Sequence, residues 1–435
     1  MLPFHSPRPS RAMLPPLKLV KRGLRKATEA IATELACPGS ATPEWNELEW
    51  RLALAAAAAH GVSPLLSHYS AWQQPAWRAF LEHQRAHVEQ RYTRMAALLT
   101  CIDAEARSAG VAMVALKGSA LHAIGLYTPG DRPMADIDLL VCDEQADQAA
   151  KLLQTLGYVE SFVQWKHRVF KPVSGEPIPG LGEHRDTPIT IELHTRIHER
   201  LPISTIDLTK RIFPQQPLPG LNAYPSNAAL MSHLLLHAAG NMCSRSLRLV
   251  HLNDISLLAT RMLTSDWDAL WCGPEPPWWA LPPLRMVARY YTNAIPAAVF
   301  VRLRRDCPLW LRERSRHRTL TQVSCSGLWL TALPGIEWSR SLGEAGRCVF
   351  NRLRPPTEAI KERADMIRTQ WWLQGQSWVT QKHARRMLTW LIRPIPRMDT
   401  LYVVRAALEH PFALVPTHET HASAPTARRA ASSCL

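Results

Sequence analysis

Two aspartates stand two residues apart inside an apolar run, Met134-Ala135-Asp136-Ile137-Asp138-Leu139-Leu140-Val141, and no other stretch restricts the fold of this chain as much. Side chains of a strand alternate between faces, so Asp136 and Asp138 project together while Ile137 and Leu139 point to the other side. Like charges that close repel, and a cation between them removes the repulsion; hard oxygen ligands of this kind suit Mg²⁺ carrying phosphates. The run therefore predicts a buried strand with a carboxylate face.

Neighbouring segments extend that face into a site. Val111 to Leu116 is a short apolar run suited to a buried strand, followed by Lys117-Gly118-Ser119 and a short helix predicted over 119–126. Gly118 lets a phosphate approach the backbone, and the helix N-terminus offers free N–H groups. Ser119 can cap that helix or hydrogen-bond a phosphate oxygen. Lys117 either adds positive charge for a triphosphate or is a solvated turn lysine. Pro129-Gly130-Asp131-Arg132-Pro133 is turn chemistry; Arg132 can touch a phosphate or pair with Asp131 or Glu192. A second alternating run, Ile189 to His194, puts Thr190, Glu192 and His194 on one face. Glu192 would complete a second metal position or take the proton of an attacking hydroxyl, since two metals roughly 3.5–4 Å apart stabilise both oxygens of an in-line displacement. His194 lines the pocket or orients Glu192, or is a polar strand-edge histidine.

Around this segment the pattern is helical, which predicts an α+β fold: a small mixed β-sheet core embedded between largely helical N- and C-terminal regions. Residues 1–20 read as a disordered basic arm, 21–110 as helical, 111–215 as the core, 216–300 as a helical domain, 301–420 as a basic helical region and 421–435 as a disordered tail. A helix over 144–156 ends at Gly157, placed where a helix C-terminus takes a left-handed residue. Helices are also predicted over 77–108, 227–239 and 247–260.

Composition bounds the partners. With 435 residues, 46% of them hydrophobic, the chain is long enough for two or three domains with cores. No apolar run reaches the roughly 18–20 residues that span a bilayer, and no secretory signal is visible. The nine cysteines form no C-x-x-C pair, so a cytoplasmic location without a disulfide framework or structural zinc is expected. The net charge of +15 belongs to the flanks: residues 1–30 carry 7 Lys/Arg against 1 Asp/Glu and 301–435 carry 22 against 10, leaving 22 against 25 between them. Basic flanks can attract RNA, although no RNA-binding motif accompanies them. The histidine pairs His194/His198 and His233/His237 lack a third ligand or the glutamate of H-E-x-x-H, which argues against zinc at either. Trp278-Trp279 and Trp371-Trp372 could stack on bases but suit a helical core.

Leu116-Lys-Gly-Ser-Ala-Leu121, then Asp131-Arg-Pro-Met-Ala-Asp-Ile-Asp-Leu-Leu-Val141, then Ile191-Glu-Leu-His194, closely resembles the bacterial "uncharacterised nucleotidyltransferase" family of the DNA polymerase β-like nucleotidyltransferase superfamily. The resemblance extends over about residues 30–390, with its specific motifs within 116–194. It maps the family's three carboxylates onto Asp136, Asp138 and Glu192 and its glycine turn onto Gly118 and Ser119. Lys117 departs from the apolar residue common in the wider superfamily but agrees with the narrower family. Leu230 to Leu258, with His237 and Asp254, is similar to the family's downstream helices, and Phe350-Asn-Arg-Leu-Arg-Pro-Pro356 more weakly so. The resemblance implies Mg²⁺-dependent transfer of a nucleoside monophosphate from an NTP to a hydroxyl-bearing acceptor, with release of pyrophosphate; a small molecule, a protein or tRNA would serve as acceptor. The alternative is a non-catalytic nucleotide- or RNA-binding module that keeps the fold.

Overall fold

A computed structural model describes residues 14–411 apart from 164–165, 177, 332, 356, 358–359, 361–363 and 365–393. The expected tail, most of the N-terminal arm and Trp371-Trp372 lie outside the described residues.

Four helices come first: α1 (Leu17–Ala36), α2 (Glu47–His60), α3 (Ser63–Tyr69) and the long α4 (Pro75–Ser108). Asn46 and Glu49 start α2 with a reciprocal capping box, and Gly61 ends it at φ 65°. The alanine-rich stretch Leu52 to Ala57 is buried, because small side chains allow the helices close approach. The central part runs β1 (Ala112–Ala115), α5 (Lys117–Ala123), β2 (Asp136–Val141), α6 (Ala146–Thr155), β3 (Tyr158–Val163), β4 (His167–Pro172), β5 (Thr190–His194), β6 (His198–Leu201), β7 (Ser204–Asp207), α7 (Thr209–Ile212) and β8 (Gly220–Asn222). Helices α8 (Asn227–Ser244) and α9 (Leu249–Ala259) follow, and the remainder is short helices and connections. The architecture is α+β, as expected. No helix among the described residues is long and apolar enough to cross a membrane.

The main sheet is mixed, in the order β3-β4-β5-β2-β1-β8, and β6-β7 form a separate ribbon. β2 runs parallel to β5 and antiparallel to β1. Alternation sorts the residues of β2 as the sequence requires: Ile137, Leu139 and Val141 join Ile191 and Leu193 of β5 in a core built with Met95, Ile102 and Ala106 of α4 and Leu153 of α6. Leu140 faces the other way, with Val114, Leu116, Ile197 and Ile212. A larger hydrophobic cluster unites α1 and α2 with α8, α9 and the tryptophans Trp278 and Trp279, which are buried as core residues.

One buried cation of α4 sets the frame of the sheet. Arg91, 1% exposed, donates to the backbone carbonyls of Met134 (3.0 Å) and Ala135 (2.7 Å) just before β2 and of Thr187 and Pro188 just before β5. One guanidinium thus ties together the chain entering two neighbouring strands.

Three sequence expectations change. Helix α5 begins at Lys117 rather than Ser119, because Leu116 is the last extended residue and Lys117 turns the chain at φ 47°. Helix α6 begins at Ala146, after a 3₁₀ turn over Asp143–Gln145. The sheet also holds β3, β4 and β8, whose residues the sequence did not mark as strands: β8 is only three residues long, and β4 (His167-Arg-Val-Phe-Lys-Pro172) has too few apolar residues to show a period.

Candidate functional site

The polar face of the sheet is assembled by register. Asp138 of β2 lies beside Glu192 of β5, and His194 of β5 lies beside His167 of β4. Residues paired across strands share a face, so Asp136, Asp138, Glu192, His194 and His167 all stand on the side opposite α4 and α6. Lys117, just past β1, reaches over this face and places Nζ 2.8 Å from Asp138 Oδ1. His194 Nε2 lies 3.0 Å from the same oxygen and 3.6 Å from Glu192 Oε2, while His167 Nε2 lies 3.4 Å from Glu192 Oε1. Lys117 is therefore an ion-paired residue and not a solvated one, and His194 bridges two carboxylates.

The charges on the face are uneven. Burial opposes ionisation of Asp138, yet Lys117 and His194 outweigh it and hold its carboxyl well below the usual range. Asp136 accepts no hydrogen bond from the described residues, and burial, together with the charges of Asp138 and Glu192, pushes its pKa up to about 7. Burial opposes protonation of Lys117 and of His194, but the carboxylates prevail and raise both. His167 is pushed down to about 4, chiefly by burial. The all-oxygen pair Asp136 and Asp138 fits a hard divalent cation.

The glycine turn is packed against two side chains of the turn ahead of β2. A methyl group at Gly118 would overlap Arg132 Nη1 and stand 2.8 Å from Met134 Sδ, so the residue is small to admit these side chains. Gly118→Ala is expected to destabilise the protein by about 1–3 kcal/mol, the usual effect of overpacking, measurable as a lowered denaturation midpoint. Ser119 lies inside the first turn of α5 and does not cap it; Leu116 holds the cap position, and Ser119 Oγ contacts Met134 Sδ at 3.9 Å. Arg132 pairs with neither Asp131 nor Glu192. Its Nε and Nη2 donate to Asp254 of α9 at 2.8 and 2.7 Å, and Tyr127 Oη donates to the same carboxylate at 2.8 Å. Asp131 pairs instead with Arg85 of α4.

Between the sheet and helices α8 and α9 lies a cavity of about 260 Å³. Lys117, Asp136 and Asp138 stand on one wall, and His237, Arg248 and His251 on the other. Burial, reinforced for His251 by Arg248 and for His237 by Lys117, keeps both imidazoles neutral. Arg248 donates Nε to the carbonyl of Ala59 at 2.9 Å and pairs with no carboxylate among the described residues. The sequence reading missed Arg91, His167 and Arg248. No short motif marks them, because each acts across elements far apart in the chain. His237 and Asp254, singled out by the family resemblance, are a cavity wall residue and the partner of Arg132.

A family model described as "Uncharacterised nucleotidyltransferase" matches residues 46–273, which contain every residue of this site. No curated protein matches the chain, and no solved structure does.

Proposed function

The chain belongs to the uncharacterised nucleotidyltransferase family, and from that premise we propose that it transfers a nucleoside monophosphate from an NTP to a hydroxyl-bearing acceptor in an Mg²⁺-dependent reaction. The observation that carries this reading is the Asp136–Asp138 pair at the wall of a cavity whose far side presents an arginine with no carboxylate partner. The acceptor oxygen bonds to the α-phosphorus as the bond from that phosphorus to the pyrophosphate oxygen breaks, so pyrophosphate and the hydroxyl proton leave.

Each wall has its task. Asp136 and Asp138 hold the cation, which when bound neutralises phosphate oxygens and polarises the reacting phosphorus. Lys117 fixes Asp138 in place and keeps positive charge near the phosphates. Glu192 does not line the cavity and turns both oxygens toward His167 and His194, so its role is that of a third negative charge behind the Asp136–Asp138 pair and not that of the base. Arg248 grips the phosphates from the helical wall, where a guanidinium can make two parallel hydrogen bonds. The neutral face of His237 and His251, whose rings meet at 4.9 Å, bounds the substrate beside it. Arg132, held by Asp254 through Nε and Nη2, supports the turn and adds positive charge to the cavity wall.

Incubation with α-labelled NTPs and separate pools of RNA, protein and small metabolites tests the reaction and reports the acceptor class. Label transfer that disappears in Asp138→Asn is the expected result. No NTP binding, together with RNA binding that falls steeply with salt, would replace this reading by that of a binding module. Arg248→Gln is expected to weaken NTP binding by about 10- to 100-fold, the value of one or two charge-assisted hydrogen bonds, as read by calorimetry.

A further inference from the structure

We infer that His167, Glu192 and His194 form a binding site for a borderline divalent cation of the Zn²⁺ or Co²⁺ class, distinct from the oxygen site of Asp136 and Asp138. The ligand atoms of the three residues all lie within 4.8 Å of one another. His167 Nε2 is 3.4 Å from one oxygen of Glu192, and His194 Nε2 is 3.6 Å from the other. A tetrahedral cation bound at about 2.0–2.1 Å sets neighbouring ligands about 3.3–3.4 Å apart; each imidazole stands at about that spacing from one of the two oxygens of Glu192, and His194 Nε2, 3.0 Å from Asp138 Oδ1, would exchange that contact for the cation.

The scaffold holds them there. His167 and His194 are register partners on adjacent strands, with ring centroids 4.8 Å apart, and Glu192 is two residues from His194 on the same face. Sites on strands keep their geometry better than sites on loops. Two imidazoles and one carboxylate select zinc-like cations, whereas Mg²⁺ takes oxygen ligands and keeps its waters. Three carboxylates, Asp136, Asp138 and Glu192, share this face with Lys117, so it offers a cation carboxylate charge as well as imidazole nitrogen. The side chain of Glu192 is 22% exposed and gives the cation a way in. The relevant partner of His194 is thus His167, across the strand pair, and not His198 at i+4 in the sequence.

The site shares Glu192 with the proposed transfer centre, but its assignment rests on the ligand geometry and not on the transfer reaction. Full-length protein stripped with a chelator is titrated with Co²⁺ in the absence of nucleotide and Mg²⁺, and visible absorption reports tetrahedral ligation. Expected are one Co²⁺ per chain, no displacement by a large excess of Mg²⁺, and unchanged binding in Asp136→Asn. Binding should weaken by about 100-fold or more in His167→Ala and in His194→Ala, at or above the loss caused by removing an outer-shell partner. Circular dichroism establishes that these variants are folded; if either is not, the wild-type titration and its Mg²⁺ competition decide. Absence of tetrahedral absorption in the wild type, ready displacement by Mg²⁺, or equal binding by the folded histidine variants would overturn the assignment. Co²⁺ binding without label transfer would sink the transfer reading alone, and transfer without Co²⁺ binding would sink this one alone.

Discussion

Asp136→Asn is expected to make the cation-free protein more stable at neutral pH while lowering label transfer by about 1000-fold, the several kcal/mol that a bound metal contributes. The two effects share one cause. Asp136 is the carboxylate without a partner, and its folded pKa near 7 lies above its ordinary value of 3.8 because of burial, Asp138 and Glu192. An acid whose folded pKa is raised stabilises the fold only while protonated, so its ionisation costs stability as pH rises from about 4 through about 7. Asparagine removes that loss. The gain in melting temperature should therefore be small near pH 4, grow toward pH 7 and level off above it. Adding Mg²⁺ should raise the melting temperature of the wild type more than that of the variant. Calorimetric scans at several pH values check the sign. Asp138→Asn should behave oppositely, since it leaves the Lys117 ammonium without its ion pair, and a drop in melting temperature is expected.

Arg132→Met should be the most destabilising single change near the site, by about 3–5 kcal/mol, because it strands a buried carboxylate. Asp254 is 1% exposed and would keep only the hydroxyl of Tyr127. Asp254→Leu should cost a similar amount by stranding the guanidinium. The double variant should cost much less than the sum, since it removes both charges together. Chemical denaturation of the four proteins measures the coupling; additive effects would show that the pair is not the link between α9 and the turn over 129–133.

What could be read from the sequence follows from how far each interaction reaches. Asp136, Asp138 and Glu192 were legible because strand alternation is a local rule and each lies in an apolar run. The strand of His167 was not, since Arg168 and Lys171 dilute its two core residues, Val169 and Phe170. Arg132 was recognised as a charge needing a partner, but the partner lies 122 residues away, beyond any pattern of neighbours. Gly118 is legible as a tight site, but the neighbours that make it tight, Arg132 and Met134, lie 14 and 16 residues on and show in no local pattern. Lys117 was visible as a residue but not as an ion pair, because its distance to Asp138 depends on a positive φ that few lysines adopt.

The contacts of Arg91 reach further than the stability of the sheet. Three carboxylates on two neighbouring strands push those strands apart, and most strongly when no cation is between them. Arg91 grips the chain immediately ahead of both strands, from the opposite side, through carbonyls that do not titrate. The spacing of the acidic groups is thus set by a rivet in the backbone and not by whatever ion the acids happen to hold.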